Sequence, residues 1–382
     1  MRLTNPFVTT GYAGEDYFCD RKKETADLIN LLTNGNNLTL ISPRRLGKTD
    51  LIYHCFNQPE IKQKYYTFIV DIYATHSLAE FVDALGQAIF DELKPFGRKV
   101  WERFYNALKS VQQQITFDIN GNPIWGIGLG AYTSPSTTLD EIFSYLGKAG
   151  KPCLIAIDEF QKIAEYDGKN NVEALLRTHI QRCGNSKFIF SGSKRHLMTE
   201  IFMSPSRPFY QSAIIVGLSP IPEEKYATFA EGRFKRYGKS LGDTVVGKVY
   251  SMFDGVTFCL QRVMNILFLM TPEGGHCDEN KIEDAVNYIL DLGTEHYKML
   301  YSQMSEKQRG VFIAIASERK AKEITGSKFI RKYRLTSASS VMSAANGLLD
   351  KDFITKDDDG YFVYDRFFLL WLEKNGHIPN QE

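Results

Sequence analysis

The sequence predicts an α/β domain with a parallel sheet, followed by a helical region and a C-terminal winged-helix arrangement. Short apolar runs alternate with helix-compatible segments from residue 37 to about 217, which is typical of parallel β-α-β units. Pro220 and Pro222 then interrupt the chain, and only helical patterns follow to about residue 298. Residues 303–375 contain three short helical segments and then two alternating runs joined by a turn.

Local signals define the elements of the α/β region. Apolar runs predict its strands, and apolar residues spaced three or four apart predict its helices. Strands are expected at 37–42, 67–72, 152–158 and 187–193, and helices within 16–36, at 77–93, from 138 onward and at 171–183. Thr138 and Glu141 have the spacing of a capping box, which predicts a helix start at Thr138.

Residues 112–134 interrupt this alternation and predict a β-hairpin insertion. The run from Gln114 to Ile119 alternates with a period of two, and Asn120-Gly121 is a strong signal for a hairpin turn. No helix directly follows the Gly-rich return run, so that run does not predict a dinucleotide-binding turn. The predicted domains are 1–217 with this insertion, 218–302 as a helical lid or linker, and 303–382.

The segment Ser42-Pro43-Arg44-Arg45-Leu46-Gly47-Lys48-Thr49 is typical of a phosphate-binding loop. It follows an apolar run that ends at Ile41 and precedes a helix-compatible run. Backbone N–H groups of such a loop point at phosphate oxygens, and the following helix adds its N-terminal dipole. Lys48 is expected to contact the β- and γ-phosphates, and the Thr49 hydroxyl is expected to bind Mg²⁺. Ser42 stands where the usual pattern has its first Gly.

A second motif strengthens this interpretation. The apolar run from Cys153 to Ile157 is followed by Asp158 and Glu159, and such an uninterrupted run predicts a buried parallel strand. Ligands bind at the carboxyl ends of the strands in open α/β sheets. Asp158 is therefore expected to hold Mg²⁺, directly or through water, and Glu159 is expected to polarise an attacking water.

Bulk composition argues against several classes of protein. The 382 residues include 46 basic and 45 acidic side chains, so no global field draws the chain to nucleic acid or anionic lipid. No apolar run approaches the ~18 residues of a membrane helix. Six cysteines without a Cys-x-x-Cys pair predict reduced thiols and a cytoplasmic location. Seven scattered histidines predict no metal besides Mg²⁺ carried by a nucleotide.

The C-terminal region predicts a winged helix. Its helices are expected at 305–317, 326–333 and 337–350. The sequence Asp357-Asp358-Asp359-Gly360 joins two alternating runs as a hairpin turn. The third helix has no Lys or Arg at 337–346 and the turn is acidic, and both features oppose contact with a phosphate backbone. A basic strip precedes that helix: Lys328, Arg331, Lys332 and Arg334. DNA contact and protein contact both stay open.

Taken together, these motifs resemble the archaeal-type ATPases of the AAA+ superfamily, close to the STAND nucleotidases. More narrowly, the chain is similar to ATP-binding proteins of this type that are abundant in Bacteroidetes genomes. The resemblance covers nearly the whole chain, and Ser42 matches it as a family variant. The other matching segments are Tyr17-Phe18-Cys19-Asp20-Arg21, Ile157-Asp158-Glu159-Phe160-Gln161, Leu176-Arg177-Thr178, Gly192-Ser193-Lys194-Arg195-His196, Arg207-Pro208-Phe209-Tyr210 and Tyr364-Asp365-Arg366-Phe367-Phe368.

The resemblance implies ATP and Mg²⁺ as cofactors, with slow or partner-stimulated hydrolysis linked to conformational change. Thr49 and Asp158 would hold Mg²⁺, while Lys48 and Glu159 would be catalytic. Ser193 would sense the γ-phosphate. The full set of nucleotide-contacting residues is expected to be Pro43, Arg44, Arg45, Leu46, Gly47, Lys48, Thr49, Asp50 and Ser193.

Two interpretations of the role of several arginines remain open. Arg195 and Arg207 are each either an arginine finger or sensor, or an ordinary surface residue. Arg44 and Arg45 either flank phosphate or pair with acids, and pairing with acids is favoured for one of the two. The segment from Phe18 to Arg21 is expected to pack near the adenine.

Three functions of different classes fit these observations. The first is an ATPase switch that couples the α/β core to the helical region and the winged helix. The second is a winged-helix DNA-binding regulator with a purely regulatory nucleotide site. The third is a protein-interaction scaffold that binds nucleotide without turnover. Glu159 favours turnover, and an arginine finger acting in trans would require an oligomer.

Overall fold

The computed structural model describes residues 3–111, 116–117, 123–125, 134–357 and 359–379. The chain forms two compact units. The α/β unit is Thr10–Ile221. The helical unit is Pro222–Glu382 together with the segment that ends at Thr9.

A five-stranded parallel sheet forms the centre of the α/β unit. In chain order the strands of this unit are β1 (Leu38–Ile41), β2 (Tyr66–Asp71), β3 (Thr116–Phe117), β4 (Pro123–Ile124), β5 (Cys153–Asp158), β6 (Ser186–Gly192) and β7 (Ile214–Gly217). The order across the sheet is β2-β5-β6-β1-β7, and every neighbouring pair is parallel. Because β6 lies between β1 and β5, the carboxyl ends of these three strands meet at one edge.

Helices cover both faces of this sheet, as the α/β prediction requires. They are α1 (Lys22–Thr33), α2 (Lys48–Asn57), α3 (Pro59–Lys64), α4 (Leu78–Leu93), α5 (Arg98–Ala107), α6 (Pro135–Gly147), α7 (Lys169–Arg182) and α8 (Arg195–Met203). Successive side chains of a strand point to opposite faces. Accordingly, Leu154 and Ala156 of β5 pack in one apolar cluster, while Ile155 and Ile157 pack in the other. The uninterrupted apolar run of β5 therefore reflects burial on both faces.

Two local predictions have different outcomes. Helix α4 begins directly after Ser77, whose hydroxyl caps it by accepting a hydrogen bond from the Glu80 N–H. The predicted helix start at Thr138 is wrong, because α6 begins at Pro135. Proline is favoured at a first helical position, where its missing N–H has no partner to lose. Glu141 instead accepts hydrogen bonds from the backbone N–H and hydroxyl of Ser110.

The predicted hairpin insertion is described only in part. Strands β3 and β4 pair antiparallel, with Thr116 opposite Ile124 and Phe117 opposite Pro123. This short ladder agrees with the predicted return of the chain. The predicted turn at Asn120-Gly121 lies outside the described residues.

The helical unit contains the predicted winged helix. Its helices are α9 (Glu223–Arg236), α10 (Val245–Met252), α11 (Thr257–Met270), α12 (Lys281–Ser302), α13 (Glu306–Glu318), α14 (Ser327–Lys332), α15 (Ala338–Asp350) and α16 (Arg366–Lys374). Its strands are β8 (Ser240–Leu241), β9 (His276–Cys277), β10 (Ile354–Asp357) and β11 (Gly360–Val363). Strands β10 and β11 form an antiparallel hairpin, and Ala321 bridges to Tyr361 beside it. The three helices α13–α15 and this hairpin match the predicted arrangement. The predicted boundary at residue 302, between the helical lid or linker and the winged-helix domain, stays a prediction.

The N-terminal segment packs in the core of the helical unit, which the sequence did not predict. Phe7 is fully buried there. The Asn5 side chain donates to the carbonyl of Asn265, and the Asn265 side chain donates to the carbonyl of Phe7. The Phe7 ring contacts three aromatic rings: Phe229, Phe234 and Phe268. These contacts fix the segment in that unit.

All six cysteines lie in the described part of the chain, are buried and form no disulfide. Burial raises the pKa of the Cys55 thiol to about 12, which leaves it a neutral core residue. Among the described helices, none has both the length and the apolar content needed to cross a bilayer.

Candidate functional site

The loop between β1 and α2 has the conformation of an anion-binding turn. Arg45 and Gly47 have positive φ angles of 68° and 85°, so the backbone turns sharply before α2 begins at Lys48. Between them, the Leu46 side chain is buried in the apolar cluster formed by β1, α1 and α2. The buried leucine anchors the loop, and the first N–H groups of α2 have no partners within the helix. Such groups form an anion site.

Lys48 is held inside this loop. Its ammonium group donates to the carbonyl oxygens of Ser42 at 3.0 Å and Pro43 at 3.1 Å. The residue is only 6% exposed. Burial lowers the pKa of Lys48 to about 8, although the nearby carboxylates of Glu159 and Asp158 oppose this shift. A cation with so little hydration is well suited to pair with a phosphate.

Asp158 connects the ends of three strands. Its carboxylate accepts hydrogen bonds from the Thr49 hydroxyl at 2.6 Å and from the Ser191 hydroxyl at 2.5 Å. The backbone N–H of Glu159 donates to it at 3.0 Å. Thr49 is the second residue of α2, the helix after β1, and Ser191 lies in β6 between β1 and β5. The observed strand order therefore brings these groups together.

Glu159 is held by two donors. Its Oε2 atom accepts hydrogen bonds from the Ser193 hydroxyl at 2.8 Å and from the Gln161 side-chain amide. The Ser193 oxygen in turn accepts a hydrogen bond from Arg44 Nε at 2.7 Å. A chain of hydrogen bonds thus runs from the phosphate loop through Ser193 to Glu159.

A second layer supports the loop from the N-terminal side. The buried Arg21 donates to the carbonyl of Leu46 at 3.3 Å and pairs with Glu24. The Phe18 ring stacks on His54 of α2, with ring centroids 4.2 Å apart. Tyr12 Oη lies 2.9 Å from His54 Nδ1. The N-terminal residues Tyr12, Phe18 and Arg21 therefore lie beside the phosphate loop and α2.

The remaining candidate residues lie in different surroundings. Asp50 is in the first turn of α2, where burial raises the pKa of its carboxyl. Arg195 is exposed and begins α8, two residues after Ser193. Arg207 is nearly buried and forms ion pairs with Glu173 and Glu200. The structure brings Lys48, Thr49, Asp158, Glu159 and Ser193 to one sheet edge, while the Arg207 guanidinium is engaged by carboxylates from α7 and α8.

Sequence reasoning missed Ser191 and Gln161. A hydroxyl inside the apolar strand β6 was the available signal for Ser191. Gln161 lies two residues after Glu159 in a short 3-10 turn and is 1% exposed. A buried amide directly after an acidic pair was the corresponding signal for Gln161.

Thr49 and Asp158 present the oxygen ligands that Mg²⁺ prefers. Their 2.6 Å hydrogen bond places a hydroxyl and a carboxylate at one point beside Lys48. The donor set therefore fits Mg²⁺ shared with a bound phosphate. In the parts of the chain that are described, no group of three or more His, Cys, Asp or Glu side chains could hold a metal ion alone.

Comparisons with known proteins add family and fold information. A family model described as "Probable winged helix domain" matches residues 295–374. An ATP-binding protein of Methanocaldococcus jannaschii is 27% identical over 159 residues. That match covers 39% of this chain and 44% of the relative, so it spans less than half of the relative's length.

Solved structures with the same fold extend over nearly the whole chain. The Walker-type ATPase of Pyrococcus abyssi has a TM-score of 0.67 at 18% identity and covers 96% of this chain and 99% of its own. The ORC1 protein of Aeropyrum pernix, solved in complex with DNA, has a TM-score of 0.54 at 11% identity, with coverages of 98% and 97%. These likenesses confirm the fold: a P-loop ATPase-type α/β sheet followed by helices and a winged helix.

Proposed function

We propose that this protein binds ATP with Mg²⁺ and hydrolyses it as a conformational switch coupled to its winged helix. The observation that carries the proposal is a single sheet edge. There, hydrogen bonds join Thr49, Asp158, Glu159 and Ser193. The Lys48 ammonium group interacts electrostatically with the carboxylates of Glu159 and Asp158 at the same edge. Phosphate binding, metal binding and activation of water each have a suitable group there. The relation to STAND nucleotidases rests on the sequence resemblance.

The phosphate loop supplies the binding energy in this proposal. N–H groups at the start of α2 and the Lys48 ammonium group surround the β- and γ-phosphates. Lys48 exchanges its bonds to the carbonyls of Ser42 and Pro43 for bonds to charged phosphate oxygens, which are stronger. Arg44 and Arg45 lie within the same loop and would flank the phosphates.

Thr49 and Asp158 would hold Mg²⁺ at this edge. The ion supplies neutralisation of the negative charge on the phosphates when it is bound. Glu159 then orients the attacking water and accepts its proton. Ser193 senses the γ-phosphate through its hydroxyl. Arg195 and Arg207 stay candidates for an arginine finger or sensor, and the ion pairs of Arg207 with Glu173 and Glu200 would have to break for that role.

The aromatic cluster beside α2 is suited to the base of the nucleotide. Tyr12, Phe18, Tyr53 and His54 lie together, and the Tyr12 and Tyr53 rings are nearly parallel. Tyr53 is 40% exposed, so part of this surface is open to a ligand. Aromatic side chains stack on purine bases and need no specific hydrogen bonds to do so. We therefore place the adenine near this cluster.

Phosphate release from ATP by the purified full chain tests the proposal. We expect ATP hydrolysis in the presence of Mg²⁺, and we expect EDTA to abolish it. Tight ATP binding without turnover would favour the scaffold alternative. If the chain neither binds nor hydrolyses ATP, the assignment of the site is wrong.

Nucleotide affinity is expected to fall at high pH. The pKa of Lys48 is about 8 because the group is buried, so above this pH the free protein increasingly has a neutral lysine. A bound phosphate stabilises the ammonium form. Affinity should therefore decrease by up to about tenfold per pH unit above pH 8. Calorimetric titrations with ADP from pH 7 to 9.5 measure this slope.

The matched control for this titration is Lys48→Arg. A guanidinium stays charged throughout the range, so the slope assigned to Lys48 should disappear even if overall affinity is lower. An equal slope in both proteins would show that another group titrates.

DNA binding through the winged helix is a second candidate function. The sequence suggested that the acidic hairpin turn would repel DNA. In the structure, Lys320 lies 2.7 Å from the Asp357 carboxylate and 3.4 Å from that of Asp359. This pairing raises the pKa of Lys320 and, despite some burial, lowers that of Asp357, so the wing carries paired charges. Lys328 and Arg331 of α14 are exposed.

Duplex binding should therefore depend on α14 and on salt. The double substitution Lys328→Glu and Arg331→Glu is expected to weaken binding at least about tenfold, because phosphate contacts provide most of the affinity. Fluorescence anisotropy with a labelled duplex at 50 and 200 mM salt would measure this. The double substitution Lys62→Glu and Lys64→Glu, at exposed positions of α3, is the charge-matched control. No binding at low salt would favour a protein partner for the winged helix.

A further inference from the structure

The hydroxyl of Ser193 has a single proton, and the structure assigns that proton to Glu159. Arg44 Nε donates to the Ser193 oxygen, and a guanidinium cannot accept a hydrogen bond. The Ser193 hydroxyl must therefore donate elsewhere, and Glu159 Oε2 lies 2.8 Å away. The direction of each bond in this chain follows from chemistry alone.

Gln161 keeps the Glu159 carboxylate in place. Its amide nitrogen donates to the same Oε2 atom that accepts from Ser193. If the Gln161 amide were flipped, its oxygen would face the Glu159 carboxylate, and two acceptor oxygens cannot form a hydrogen bond. Among the described residues, the Gln161 side-chain oxygen has no hydrogen-bond partner. It lies against Gly192, where an added Cβ would collide with it. Gln161 is thus packed on one side and bonded to Glu159 on the other.

A γ-phosphate that binds Ser193 would need the same proton. We propose that Glu159, held by Gln161, competes with the γ-phosphate for the Ser193 hydroxyl and so lowers the preference of the site for ATP over ADP. This inference rests on the proposed function, because it requires ATP to bind at the phosphate loop. Gln161 is a positioning residue here, since it acts through Glu159.

The competition also gives ATP binding a consequence at Glu159. When the Ser193 hydroxyl donates its hydrogen bond to the γ-phosphate instead, the Glu159 carboxylate loses one of its two donors. Gln161 stays bound and preserves the orientation of the carboxylate. One lone pair of Oε2 then becomes available to a water molecule only when a γ-phosphate is present. ADP, which has no γ-phosphate, leaves the bond between Ser193 and Glu159 intact.

Gln161→Leu tests this inference without changing any charge. Leucine keeps the approximate volume and replaces an amide whose oxygen has no partner in the described part of the chain, so the variant is expected to fold. Without the Gln161 donor, the Glu159 side chain is free to rotate away from Ser193. The ratio of the ADP and adenylyl imidodiphosphate dissociation constants should rise about threefold. Calorimetry with Mg²⁺ and the full chain measures both constants.

Three further variants separate hydrogen bonding from electrostatics. Glu159→Ala should raise the same ratio, partly because it removes a negative charge near the γ-phosphate. Ser193→Ala should lower the ratio, and in that background Gln161→Leu should have no further effect. Gln181→Leu, an exposed glutamine of α7, is the matched control and should leave the ratio unchanged.

The outcomes distinguish this inference from the proposed function. If both nucleotides bind and Gln161→Leu leaves their ratio unchanged, the competition does not exist. The same conclusion follows if Gln161→Leu raises the ratio equally with and without Ser193. If neither nucleotide binds the native chain, the proposed function fails and the inference fails with it.

Discussion

Lys48→Ala is expected to weaken ATP binding by about 100-fold, because a bound phosphate loses its charged hydrogen-bond partner in the loop. The native ammonium group already lies at the centre of the loop, within 3.1 Å of two backbone carbonyls. No other cation donates to both of those oxygens among the described residues. Calorimetric titration with ATP and Mg²⁺ measures the loss.

Two additional variants support the interpretation of this result. Lys48→Met keeps most of the buried volume, so it separates the loss of charge from a packing defect around a residue that is 6% exposed. Lys64→Ala, on the exposed surface of α3, should bind ATP like the native chain. Native affinity in Lys48→Ala and Lys48→Met would rule out this loop as the nucleotide site.

Glu159→Gln is expected to retain ATP while hydrolysis falls by a factor of about 100 to 10,000, the usual contribution of a positioned general base. The substitution preserves shape and leaves an amide oxygen that still accepts from Ser193. It removes the negative charge that would take up a proton from water. Single-turnover measurements with saturating protein isolate this step from nucleotide release.

Glu165→Gln is the control for this experiment. Glu165 ends the same 3-10 turn that follows Glu159, but its carboxylate pairs with Lys162 and Lys194. Its substitution should leave hydrolysis within about twofold of the native rate, because exposed ion pairs contribute little. Equal turnover by Glu159→Gln and the native chain would remove Glu159 from the proposed mechanism.

Four of the five strands of the sheet were predictable, because their burial leaves a strong apolar pattern. The edge strand β7 was not predicted, and its residues are largely exposed. The phosphate loop was predictable because its residue types occupy consecutive positions. Gln161 and Ser191 could not be assigned in the same way. Ser191 contacts Asp158 across 33 residues, and Arg44 contacts Ser193 across 149. These contacts exist because β6 lies between β1 and β5, and the sequence pattern does not contain that order.

Local competition explains the predicted helix start that failed. Thr138 and Glu141 have capping-box spacing, yet Pro135 allows α6 to begin one turn earlier. Glu141 therefore does not cap the start of α6. Its carboxylate instead accepts a hydrogen bond from the Ser110 hydroxyl. Arg207 illustrates a related limit. Its motif left open a phosphate-facing arginine or an ordinary surface residue. Its carboxylate partners Glu173 and Glu200 lie 34 and 7 residues away and were not recognisable from the sequence.

The burial of Phe7 has a consequence for the order in which the chain folds during synthesis. Asn5 and Asn265, which fix this segment, are 260 residues apart, so the segment leaves the ribosome well before its partner in α11 has been made. At roughly 5–20 residues per second, that delay is on the order of 10 to 50 s. The α/β unit is complete by Ile221 and can fold during this interval. The helical unit cannot close its core until α11 has been made, and until then the Phe7 ring is an exposed apolar group that chaperones can recognise.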